Sequence, residues 1–138
     1  MARHSIQQYR KNTVASLKEA SPHAQVTAIF QHILGNLVAA SNAIERKDIK
    51  QKGESISKAI RLLDVLKVSL DLDKGGTIAS NLDVLYDYCT QKLIIANIQS
   101  EQAPIDEIAG IVRELKEGWD GIPDEYKNGQ VPGTPSAE

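Results

Sequence analysis

Residues 70–88 read LDLDKGGTIASNLDVLYDY. The Gly75-Gly76 pair is a helix-breaking signal, and after it Ile78, Leu82, Leu85 and Cys89 recur at the three- and four-residue spacing of one helical face. Val84 and Tyr88 fall on the opposite side of the same helix, and farther along Leu93 continues the first face while Ile95 and Ile98 continue the second. No run of alternating β-branched residues bounded by hairpin turns occurs here or elsewhere, so the stretch predicts a helix–break–helix in an all-α chain. Its helix is apolar on two sides, which a single buried seam does not require.

Working outward, turn signals divide the rest into further helical segments. A short first segment covers residues 4 to about 17, with Ile6, Tyr9, Val14 and Leu17 at loosely helical spacing. Ser21 then reads as an N-cap with Pro22 at the first helical position, where its missing N–H is harmless, and a long helix follows to about Arg46. Its stripe is Val26, Ile29, Phe30, Ile33, Leu37, Ala40 and Ile44. Asp48 and Gln51 have capping-box spacing and open a third segment predicted to reach about Leu72. The fourth is expected from about Thr77 to Ser100. A fifth opens at Ala103-Pro104 with Asp106 and Glu107 placed in its first turn, and closes near Gly118 with Ile105, Ile108, Val112, Leu115 and Trp119 inward.

Four helices with short connections predict an antiparallel up-and-down four-helix bundle, all-α, with a short N-terminal helical cap laid across it. The predicted domain covers residues 1–122, with 1–17 as a mobile cap segment. The Gly- and Pro-rich residues 123–138 read as a disordered tail. The third segment, like the fourth, has two apolar stripes: Ile56, Ile60, Leu63 and Leu70 on one side, and Leu62, Val65, Val68 and Leu72 on the other. A bundle has one central seam, so the second stripes must meet the first segment, another subunit or a partner.

Composition narrows the function classes. At 138 residues and 41% hydrophobic content the chain suits one globular core. A net charge of −2 offers no general attraction to nucleic acid or anionic lipid. The lone Cys89 can form no internal disulfide and the N-terminus lacks an apolar signal-like run, which together favour a cytoplasmic setting. The longest uncharged run, 20–44, carries too many polar residues to insert in a membrane.

Catalytic and metal constellations are not expected. His4, His23 and His32 supply no Glu-x-x-His pair, and Ser21-Pro22 separates Glu19 from His23. The sequence DKGGT lacks the Gly-Lys-Ser/Thr order of a phosphate loop. One alternative rests on His32, because a histidine projecting from a four-helix bundle marks histidine phosphotransfer domains. Here HILGN departs from that family's His-x-Leu-Lys-Gly pattern, and no Lys or Arg lies between Lys18 and Arg46. A solvated histidine on the flank is the better reading of the residues.

The runs ASPHAQVTAIFQHIL, AIERKDIKQKGESISKAIRLLDVLKVSLDLDKGGTIASNLDVLYDY, LIIANI and LKEGWDGI closely resemble the FliS family of flagellar export chaperones, over about residues 5–122. The resemblance implies a cytoplasmic, non-enzymatic helical bundle needing no cofactor or metal. It also implies binding of the disordered C-terminal region of flagellin, prevention of its premature polymerisation, and delivery to the flagellar type III export apparatus. Export gate components or a co-chaperone are further candidate partners, and the free chain is expected to be a monomer or weak homodimer. The predicted partner-binding residues are Ile6, Tyr9, Leu62, Val65, Leu72, Val84, Tyr88 and Ile95. The tyrosine and apolar positions of SIQQY resemble family positions implicated in the client interaction, with the first segment expected to gate the groove.

Overall fold

In the computed structural model, residues 21–123 are described; the expected N-terminal cap and most of the expected tail lie outside them. Four helices follow one another: α1 (Pro22–Arg46), α2 (Ile49–Val68), α3 (Leu72–Gln99) and α4 (Gln102–Asp120). No strand occurs among the described residues.

Local chemistry sets most of the boundaries. Ser21 Oγ accepts from the Ala24 N–H at 3.2 Å and Pro22 occupies the first turn, as expected. Asp48 Oδ1 accepts from the Gln51 N–H at 3.1 Å, but the Gln51 side chain donates to Ser55 Oγ at 2.7 Å instead of returning to the cap, so the box is half made. The third segment stops at Val68, short of the expected Leu72. Ser69 Oγ donates to the Leu66 carbonyl, and Asp71 Oδ1 accepts from the Lys74 N–H at 3.0 Å, capping a new helix that starts at Leu72. The expected glycine break is real but internal to α3: Gly76 adopts φ 54° and ψ −134°, kinking the helix after one turn. The fifth segment also begins earlier than expected, at Gln102, which moves Asp106 and Glu107 out of the first turn. Pro104 is tolerated there because N–H groups of the first turn have no acceptor within the helix.

Connections of two or three residues, Lys47-Asp48, Ser69–Asp71 and Ser100-Glu101, force antiparallel neighbours. The helices form a closed ring in which α1 packs on α2 and α4, and α3 packs on α2 and α4, without close approach across the diagonals. The core at the centre is made by Phe30, Ile33 and Leu37 of α1, Ile56 and Leu63 of α2, Cys89 and Leu93 of α3, and Ile105, Ile108 and Val112 of α4. Several assignments of the periodicity change. Ile78, expected in the core, is 74% exposed, because the Gly76 kink lies two residues before it and Ala79 is the side chain that turns inward. Leu66 and Tyr86, absent from the expected stripes, are buried.

Both ends of the bundle are tied by polar contacts. At one end the almost buried Lys52 Nζ donates to the Asn97 carbonyl at 2.9 Å and to Ser100 Oγ at 2.6 Å, placing its charge at the electronegative C-terminus of α3. Gln102 Nε2 donates to Ser41 at the same end. At the other end the His23 and Trp119 rings stack with centroids 4.9 Å apart. Trp119 Nε1 donates to the His23 carbonyl at 3.0 Å, and His23 Nε2 lies 2.8 Å from the Trp119 carbonyl oxygen. Thr27 Oγ1 donates to Asp120, which also pairs with Lys116; these contacts, Lys116 foremost, hold the Asp120 carboxyl below the usual range.

Candidate partner-binding surface

The second stripe of α3 lies outside the core. Val84, Tyr88 and Ile95 are spaced by four and seven residues, which stacks them on one helical face. Val84 is 68% exposed and Ile95 41% exposed. Tyr88 fixes the direction of this strip, because its hydroxyl donates to Glu107 Oε2 of α4 at 2.6 Å. The strip therefore borders the α3–α4 flank. That bond, with desolvation and the neighbouring Glu107 carboxyl adding to it, pushes the Tyr88 hydroxyl above its ordinary pKa. Lys92 Nζ stands 5.8 Å over the Tyr88 ring, in cation–π range.

The second stripe of α2 faces elsewhere. Leu62 is half-buried against the core and, with Lys58 and Arg61 of its own helix and His32 and Asn36 of α1, lines an open notch of about 300 Å³. Val65, 50% exposed, continues the same face one turn on. This strip borders the α1–α2 flank. Between the two strips, on the α2–α3 flank, Lys67 Nζ bonds Asp87 Oδ1 at 2.7 Å and lies 4.0 Å from Asp83. The Asp87 bond, ahead of the other two aspartates nearby, raises the Lys67 pKa. Leu72 stands apart at the α2–α3 corner, exposed along with Val68. Ile6 and Tyr9 lie outside the described residues. The structure thus brings Val84, Tyr88 and Ile95 together, and Leu62 with Val65, but separates the two sets.

Burial, with Glu107 adding to it, pushes the Cys89 thiol up to about 11, so it stays protonated near neutrality. Burial likewise takes Tyr86 up to about 12. No group of three or more potential metal ligands occurs among the described residues. No described helix is long and apolar enough to cross a membrane. The polar notch residues, Lys58 and Arg61 in particular, were missing from the sequence-based site; their shared face with Leu62 was readable from spacing, but the neighbouring α1 surface was not.

The family profile described as Flagellar protein FliS matches residues 3–126. This chain belongs to the FliS family. A flagellar secretion chaperone FliSB of Pseudomonas aeruginosa is 37% identical over 119 residues, covering 86% of this chain and 94% of that one. The flagellar secretion chaperone FliS of Vibrio cholerae is 37% identical over 127 residues, 91% of this chain and 93% of its own. That of Salmonella typhimurium is 39% identical over 119 residues, 85% and 88% respectively. These FliS proteins are named as chaperones and not as enzymes, which leaves the phosphotransfer reading of His32 without support. The FliS resemblance seen in the sequence is borne out.

Proposed function

We propose that this FliS chain is a cytoplasmic chaperone for flagellin, binding its disordered C-terminal region, preventing premature polymerisation and delivering it to the flagellar export apparatus. The observation that carries the reading is the strip of Val84, Tyr88 and Ile95, exposed side chains on one helical face that take no part in the core of the described bundle. Monomeric soluble proteins seldom leave such strips uncovered unless a partner removes them from water. An unfolded client with apolar segments can fold as helices against the strip, its ordering entropy offset by burial over a long surface. The binding reaction needs no nucleotide, cofactor or metal. The free chain is taken as a monomer or weak homodimer, with Ile6 and Tyr9 contributing from the N-terminal segment and Leu72 extending the surface at the corner.

Calorimetry with flagellin and with flagellin lacking its C-terminal segment tests this. Binding with a negative heat-capacity change is expected for the first and no heat for the second. Undiminished binding to the truncated flagellin would refute the reading.

A further inference from the structure

The α1–α2 flank differs chemically from the α3 strip. Lys58, Arg61, Leu62 and Val65 fall at positions i, i+3, i+4 and i+7 of α2, one continuous face that combines two cations with two apolar side chains. Neither Lys58 nor Arg61 has an ion-pair partner among the described residues, although the chain as a whole is net negative. The opposing wall is α1, which has no carboxylate between Pro22 and Ile44 and presents His32 and Asn36 to the notch. On α2 itself, Glu54 lies one turn before Lys58, and Asp64, three residues after Arg61, acts on Lys67 toward the other flank. On the α3–α4 flank, by contrast, Glu107 is held by Tyr88, and on the α2–α3 flank Lys67 is neutralised by Asp87. Cations that make no ion pair among the described residues, beside an apolar groove, match a guest with carboxylates flanking an apolar stripe.

We propose that the α1–α2 groove receives an acidic amphipathic helix of a second protein, seated on Leu62 and Val65 with its carboxylates on Lys58 and Arg61. One large apolar side chain of that helix fills the notch at Leu62. The proposal builds on the chaperone reading in one respect: the client is assigned to the α3 strip, so both guests can be held at once.

The probes are two synthetic peptides of about 18 residues, long enough to hold a helix, sharing one leucine stripe and differing only in Glu or Lys at the flanking positions. Fluorescence anisotropy with the full chain is expected to show the Glu peptide binding at least about tenfold tighter than the Lys peptide at low ionic strength. That advantage should collapse at about 1 M salt, where screening reaches only about 3 Å. Lys58→Glu with Arg61→Glu should invert the preference while leaving helicity and flagellin binding unchanged, since both side chains are exposed and off the α3 strip. Equal binding of the two peptides, or a preference that survives the double charge reversal, would overturn the proposal. Displacement of the Glu peptide by the flagellin C-terminal segment would also overturn it, because the groove would then belong to the client. Should flagellin fail to bind at all while the Glu peptide binds as described, the groove stands and the chaperone reading falls.

Discussion

Two buried side chains show how single residues stabilise this bundle. Lys52 lies inside the end of the bundle because its ammonium has fixed acceptors, the Asn97 carbonyl and Ser100 Oγ, and its charge complements the α3 dipole. Replacing it with Met keeps most of the side-chain volume but removes both bonds, and hydrogen bonds to charged groups contribute roughly 1.5–3 kcal/mol. Lys52→Met should lower the free energy of unfolding by about that much, measured by urea titration. Cys89 gives a pH dependence. Its thiol moves from an ordinary 9.0 to about 11 in the fold, so the unfolded chain ionises first. The resulting stability is fully present below pH 9 and is lost as pH rises toward 11; Tyr86, raised from 10.0 to about 12, continues the loss. Urea midpoints from pH 8 upward should therefore fall more steeply in the native chain than in Cys89→Ala over the window between about 9 and 11, and parallel curves would contradict the assignment.

At the scale of the element, α3 is the helix with special backbone requirements. A Cβ on Gly75 would lie 2.5 Å from the Ala79 Cβ, so alanine there forces the first turn of α3 away from the rest of the helix. Gly76 has open space around it but a φ of 54° with ψ −134°, a region that residues with a Cβ rarely occupy. Gly76→Ala should therefore destabilise by about 1–3 kcal/mol through backbone strain alone, while Gly75→Ala acts through overpacking, at a similar cost of about 1–3 kcal/mol. Thermal melts of the two single variants check both values. Both changes should also disturb the corner where Leu72 and Ile78 are exposed, since the kink lies between them.

For the whole molecule, the ring of four antiparallel helices leaves two flanks with different chemistry. The client is proposed to occupy the apolar α3 strip, and an acidic helix the charged α1–α2 groove. Ile95→Asp should weaken flagellin binding by at least about 1 kcal/mol, since fully burying an exposed aliphatic side chain is worth roughly 1.5–3 kcal/mol, part of that remains for a side chain 41% exposed, and an unpaired carboxylate adds a penalty. The free variant should melt as the native chain does, because Ile95 lies outside the core; loss of the fold would place it there instead. The two polar ties at opposite ends share no residue, so Lys52→Met and Trp119→Phe should destabilise additively within about 0.5 kcal/mol. A larger deviation in the double variant would mean that the ends communicate through the core.

The four helices of the described residues, the caps at Ser21 and Asp48, the glycine break and the core faces of α1 and α4 were legible in the sequence, because they depend on interactions within a few residues or on an apolar period of 3.6. The existence of second apolar stripes on α2 and α3 was legible for the same reason, and so was the family, from the order of its motifs. What a helical period cannot state is which neighbour a face meets. Leu62 and Tyr88 mark that limit, since Leu62 looks toward His32 and Asn36 whereas Tyr88 looks toward Glu107. Two stripes that look equivalent along the chain therefore open on different flanks, a distinction that arises only when α1 and α4 take their places in the ring. The exposure of Ile78, the inward turn of Tyr86 and the His23–Trp119 stack have the same origin. Each depends on groups far apart in sequence or on a backbone kink that shifts the helical phase, and packing among helices decides them where local periodicity does not.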